Sequence, residues 1–158
     1  MNENRRAFLD MLAYAEGTST HPLTRDRGYD VIVTGVDGPE IFTDYSQHPF
    51  CTRKPKQINH SGLYSSAAGR YQFLVRDWPH YKIKLSLPDF GPESQDKWAL
   101  QLIKERRALD DIDAGHLIVA VGKVSNLWAS LPGAGYNQPE RKMAALENAY
   151  EQAGGQFA

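Results

Sequence analysis

The strongest constraint on the fold is a change of hydrophobic period early in the chain. Phe8, Leu9, Leu12, Ala13 and Ala15 recur on one helical face, which predicts a first helix from about Asn4 to Glu16. Gly17 supplies its left-handed stop. Tyr29-Asp30-Val31-Ile32-Val33 is then a β-branched run, and Gly35-Val36-Asp37-Gly38-Pro39 reads as a hairpin loop returning through Ile41-Phe42-Thr43. Residues 46–64 show little periodicity and read as a long loop. Helical pattern resumes over Ser65 to Val75, and Asp77-Trp78-Pro79 reads as a restart with Asp77 as N-cap. Pro92 and Ser94 open a further helix, and shorter ones fit Leu109–Ala114, Leu117–Gly122 and Asn126–Ser130. A last helix is expected from Pro139 to about Ala153. Many short helices around one β-rich segment, at about residues 28–45, predict an α+β domain.

The chain has 158 residues, enough for one domain with a sizeable core, and no repeat or interdomain linker interrupts it. Its hydrophobic share of 41% and charged share of 23% exclude intrinsic disorder. A net charge of −1 argues against a nucleic-acid partner bound through bulk charge. Cys51 is the single cysteine, so no internal disulfide can form. Met1 to Asp10 is polar, without the apolar run of a signal peptide, and no window approaches a membrane span. A monomer folded in the cytosol, without stable membrane association, is therefore expected. The charge is unevenly spread: residues 51–84 hold seven bases (Arg53, Lys54, Lys56, Arg70, Arg76, Lys82, Lys84) against the lone acid Asp77. Such a block is either a solvated face or a guide for an anionic polymer.

Glu16 is the most informative residue. It falls on the apolar face of the first helix and at its C-terminus, where the macrodipole disfavours a carboxylate. Both effects raise its pKa, and a neutral carboxylic acid near pH 7 is what protonation of a leaving oxygen requires. The alternative is a surface glutamate fraying from the last turn. In Gly69-Arg70-Tyr71-Gln72-Phe73, the glycine admits close approach to the backbone, Gln72 offers donor and acceptor to a sugar, and an aromatic can face its ring. The same residues also read as a helix start with Tyr71 and Phe73 in the core. Leu131-Pro132-Gly133-Ala134-Gly135-Tyr136-Asn137 is a glycine-rich turn presenting a Tyr-Asn pair, or a simple interhelix loop. His21, His48, His60, His80 and His116 lack metal-ligand spacing, and no phosphate loop or Gly-x-Ser-x-Gly elbow is present. Neither a metal nor a cofactor is expected. Trp78, Trp98 and Trp128 are assigned to the core.

Taken together, the sequence resembles the lambda-type phage endolysins, lytic transglycosylases with a lysozyme-like fold, over about residues 5–155. The anchors are Arg6 to Ala13 leading to Glu16-Gly17-Thr18, Gly28 to Val33, Phe42 to Ser46, Ala68 to Gln72, Lys104-Glu105-Arg106, and Ser125 to Tyr136. The stretches Thr34–Ile41 and Phe50–Ser66 differ from that pattern. The resemblance implies a small sheet flanking a substrate cleft, with Glu16 as the catalytic acid. It makes Gly69-Arg70-Tyr71-Gln72 similar to the family's Gly-x-x-Gln segment, with Gln72 on the glycan and Tyr136-Asn137 lining the same cleft. The implied substrate is the peptidoglycan glycan strand, cut at the MurNAc–GlcNAc β-1,4 bond to leave a 1,6-anhydro end. It also implies host lysis late in infection, with a holin releasing the enzyme from the host cytoplasm to the wall.

A hydrolase needs a second carboxylate, for which Asp30 and Asp44 are the candidates. A transglycosylase needs none, because the substrate's N-acetyl group and 6-hydroxyl take that role. The two rival readings are a lysozyme-type hydrolase and a non-catalytic wall-binding module.

Overall fold

A computed structural model describes residues 1–136 and 139–158, which divide into two bodies. One comprises residues 1–16 and 99–158, the other residues 17–98.

The first body is helical. Helix α1 (Glu3–Ala15) starts one residue earlier than its apolar pattern suggests, because the Asn2 side chain accepts the Arg5 amide at 2.8 Å as N-cap. Gly17 ends it at φ 75°. Ala7, Phe8, Leu9, Met11, Leu12 and Ala13 are all fully buried, and α1 packs on α4 (Leu109–Asp113) and α6 (Met143–Gln152). Helix α5 (Leu117–Val124) adds Ala120, Val121 and Val124 to this core. Arg5 grips Asp113 with two bonds of 2.8 and 2.7 Å, tying the start of α1 to α4. Asn126–Ser130 forms turns rather than the expected helix. Helix α6 starts at Met143, four residues later than expected, because Glu140 and Arg141 are engaged elsewhere, as described below.

The second body carries the β structure. Strands β1 (Val31–Gly35) and β2 (Gly38–Ile41) form the expected hairpin, pairing Val31 with Ile41 and Gly35 with Gly38. The predicted helix over Ser65 to Val75 is not formed. Strands β5 (Ala67–Ala68) and β6 (Phe73–Leu74) replace it and complete an antiparallel sheet of order β2-β1-β5-β6. The reason is local: Gly69 sits at φ 84° and Gln72 at φ 54°, two left-handed residues that no helix accommodates. A side chain at Gly69 would also meet Gln95 Oε1 at 2.5 Å.

The expected long loop 46–64 is partly ordered. A 3₁₀ turn (Pro49–Cys51) is followed by β3 (Lys56–Gln57), which pairs with β4 (Tyr64–Ser65) in a separate ribbon. His48 anchors it from the interior: Nε2–H donates to Phe73 O at 2.7 Å, and Nδ1 accepts the Phe50 amide at 3.2 Å. Asp77 precedes α2 (Trp78–Lys84) but makes no side-chain cap, because a 3₁₀ turn (Val75–Asp77) runs directly into the helix. Helix α3 (Pro92–Glu105) begins in this body and continues into the other. Phe73 stacks on Trp98 with ring centroids 4.0 Å apart, and Phe90, Trp78 and Tyr81 surround that pair. Trp78, Trp98 and Trp128 are buried, as expected. Among the described residues no helix is long and apolar enough to cross a membrane.

Candidate active site

Glu16 follows directly on the last residue of α1, its amide donating to Leu12 O at 2.9 Å. Its side chain keeps some solvent exposure, yet protein surrounds the carboxyl closely enough that burial pushes its pKa up to about 7. Two groups act against that rise. Ser130 favours the charged form by hydrogen bonding, and the positive charge of Arg141 does so through space. Ser130 Oγ is buried with no hydrogen bond of ordinary length among the described residues, so its hold on the carboxyl is loose. The net result is an acid that changes protonation state near neutrality, able to donate a proton and then accept one.

The glycine-rich turn after Trp128 is braced from one side. Glu140 takes the Gly133 amide on Oε1 at 3.1 Å and the Gly135 amide on Oε2 at 3.2 Å. Both glycines are left-handed, which lets their N–H groups point to one carboxylate. Tyr136 follows, 51% exposed, with its hydroxyl donating to Asn126 O at 2.5 Å. Its ring is therefore available to solvent while its far end is tethered. Asn137 lies outside the described residues.

In the second body, the Gly69–Gln72 turn joins β5 to β6. The Gly69 amide donates to Val31 O at 2.8 Å, and Gln72 Nε2 folds back on Gly69 O at 2.9 Å. Gln72 is half-buried, and its left-handed backbone is a conformation that side chains other than glycine's rarely adopt. Arg70 and Tyr71, expected beside Gln72 on the glycan, are both buried. Tyr71 is fully buried, and its hydroxyl donates to Asp96 Oδ1 at 2.6 Å, which Tyr29 also reaches at 2.8 Å. The Arg70 guanidinium lies 5.0 Å from the Tyr29 ring centre, and its Nε donates to Arg27 O at 2.9 Å. Thr18, two residues past Glu16, donates its hydroxyl to Arg70 O at 2.6 Å. Arg70 and Tyr71 thus brace the Gly69–Gln72 turn from the interior.

The other carboxylates differ sharply. Asp30 is buried with both oxygens engaged, one by the Thr24 hydroxyl at 2.5 Å and one by the Arg25 amide at 2.9 Å. Asp44 is exposed, and hydrogen bonding from Ser46 holds its carboxyl below the usual range. The basic block is not one face. Lys56 is buried against Glu40 at 2.8 Å and Asp37 at 3.2 Å, Arg70 is interior, and Arg53 pairs with Glu40. Among the described residues no group of three His, Cys, Asp or Glu side chains is placed to hold a metal ion.

Arg141, Glu140 and Asp96 also shape these elements, and none of them lies in a motif that the sequence singles out. Arg141 is the clearest case, reaching across 126 positions to the end of α1.

The Endolysin family model matches residues 6–157. The endolysin of Escherichia phage P2 is 58% identical over 98% of this chain and 94% of its own length, and that of Escherichia phage lambda is 53% identical over the same shares. Bacteriophage lambda lysozyme solved with a chitohexasaccharide superposes with a TM-score of 0.92 at 52% identity, covering 100% of this chain and 98% of that one. Another structure of lysozyme from bacteriophage lambda gives a TM-score of 0.86 at 50% identity over the same shares. The mostly helical α+β arrangement is thus lysozyme-like, and on matches spanning nearly its whole length the chain belongs to the endolysin family.

Proposed function

We propose that this endolysin is a lytic transglycosylase acting on the MurNAc–GlcNAc β-1,4 bond of peptidoglycan, with Glu16 as its acid and base. The observation that carries the proposal is a single carboxyl at the end of α1 with its pKa raised to about 7. Protonated Glu16 gives its proton to the glycosidic oxygen as the C–O bond breaks, and the GlcNAc side leaves as an alcohol. The substrate's N-acetyl group stabilises the positive charge left on the MurNAc anomeric carbon. Glu16, now a carboxylate, takes the proton from the MurNAc 6-hydroxyl while that oxygen bonds to the anomeric carbon. The product is a 1,6-anhydro ring, water is not consumed, and Glu16 returns to its acid form.

The condition of Asp30 supports this route over hydrolysis. Asp30 is buried, and each of its oxygens accepts a hydrogen bond from the chain's own Thr24 or Arg25, so it is held inside the protein rather than offered to a sugar or a water. Gln72, the exposed ring of Tyr136 and Asn137 are assigned to glycan binding; Arg70 and Tyr71 act by holding the Gln72 turn. Sugar–aromatic contact and amide hydrogen bonds suit an N-acetylated strand. The chain acts as a monomer without a cofactor, in the host cytoplasm until a holin opens the path to the wall.

Digestion of purified peptidoglycan followed by mass spectrometry tests this. The expected fragments are one water lighter than hydrolysed ones, and Glu16→Gln should abolish them. Wall binding without any glycan cleavage, kept in Glu16→Gln and lost in Tyr136→Ala, would point to the wall-binding alternative, and cleavage that survives Glu16→Gln would refute the role of Glu16.

A further inference from the structure

The end of α1 is capped by a residue from the far end of the chain. Arg141 donates from Nε to Ala15 O at 3.2 Å and from Nη2 to Tyr14 O at 3.3 Å. Its guanidinium lies 4.9 Å from the Tyr14 ring centre, and its amide donates to Ser130 O at 2.7 Å. The last carbonyls of a helix have no partner within the helix, and the negative end of the macrodipole lies there. Arg141 thus satisfies two such carbonyls with a cation immediately before Glu16, and through its backbone it fixes Ser130. The next residue back, Glu140, clamps the turn that presents Tyr136.

We propose that Arg141 is a positioning residue for the acid: by capping α1 it fixes the helix end that carries Glu16, and it supplies the positive charge against which the carboxyl ionises. This rests on reading Glu16 as the acid and deepens it. Both burial and the helix dipole drive Glu16 toward permanent protonation, which would serve bond cleavage but block the later removal of the 6-hydroxyl proton. A fixed cation balances the two half-reactions. The groups that act on the carboxyl among the described residues are Arg141 and Ser130, and Arg141 is the charged one.

The test is ¹³C NMR titration of the Glu16 carboxyl in the intact protein, with Arg141→Gln and Arg141→Lys compared with wild type. Gln keeps a donor but removes the charge. Its Glu16 midpoint should rise by about half to one pH unit. Lys retains the charge, so its midpoint should stay within about 0.3 unit of wild type, although it cannot span both carbonyls. The pH profile of wall lysis should follow the titration in each variant. A Gln variant titrating like wild type overturns the proposal, as does a Lys variant shifted as far as Gln; where Gln unfolds the protein, Arg141→Met, which keeps the side-chain stem without the charge, takes its place with the same expected rise. The titration is independent of turnover, so a shift without any activity from Glu16 would refute the role of Glu16 while leaving its coupling to Arg141 intact.

Discussion

Replacing Gln95 by Leu should cost far more than its conservative shape suggests. Gln95 is fully buried on α3 and makes three hydrogen bonds to main chain of the second body. Its Oε1 accepts the Arg70 amide at 2.8 Å, and its Nε2 donates to Phe90 O at 2.8 Å and to Tyr29 O at 3.1 Å. Leu is similar in volume, so the packing cost is small. The three main-chain groups, however, lose their partner where water cannot readily replace it. Each buried unsatisfied group costs about 1–3 kcal/mol, so with partial relaxation the total should be roughly 3–6 kcal/mol. That is a large share of the roughly 5–15 kcal/mol that holds a typical domain together. Urea unfolding followed by tryptophan fluorescence measures it, with wild type and Gln95→Leu compared at the same pH. Because Gln95 holds the Arg70 end of the turn, lysis under conditions where the variant remains folded should fall as well. A midpoint corresponding to less than about 1 kcal/mol of destabilisation would refute the reasoning, since it would mean that the turn does not depend on this side chain.

Other consequences follow from individual groups. Burial lowers the His48 pKa to about 4 from an ordinary 6.5, so the unfolded chain binds the extra proton between those values. Stability should therefore rise by up to about 3 kcal/mol as pH increases from 4 to 6.5, which denaturation at several pH values will measure. Glu16 has the opposite sign: its folded pKa is raised, so its contribution is present below pH 4.5 and is lost as pH rises through about 7. Glu16→Gln should consequently be more stable than wild type by about 2–3 kcal/mol at pH 8 while losing lysis, as calorimetry and a turbidity assay will report. Glu140→Ala frees both glycine amides and should slow lysis by roughly ten- to a hundredfold with little change in unfolding midpoint. Arg5→Ala, at a partly exposed ion pair, should cost only about 1 kcal/mol and leave lysis unchanged.

What sequence alone makes legible is whatever is local. Phe8, Leu9 and Leu12 mark the face of α1, Gly17 marks its end, and Val31 to Ile41 marks the hairpin, because each signal is complete within a few residues. Ser65 to Val75 is misread for the same reason. Alanine and aromatic spacing there suggests a helix, whereas the left-handed backbone at Gln72 and the Gln95 side chain behind Gly69 impose a hairpin turn. Asp77 is a good N-cap residue by type, but the preceding 3₁₀ turn leaves it no capping geometry. At the site, Glu16 stands out by its position on α1, while the partners that tune it come from Ser130 and Arg141, more than a hundred residues away. Arg70 and Tyr71 show the converse problem. A motif places them beside Gln72 in sequence, but the turn directs them into the interior, against Asp96 and Tyr29.

Digestion of peptidoglycan in H₂¹⁸O tests most directly whether one carboxylic acid is sufficient and the sugar closes on itself. The account predicts that new MurNAc ends carry no ¹⁸O and have the mass of an internal anhydride. Labelled reducing ends formed at the rate of lysis would contradict it, because they would require a water and a second group to activate that water.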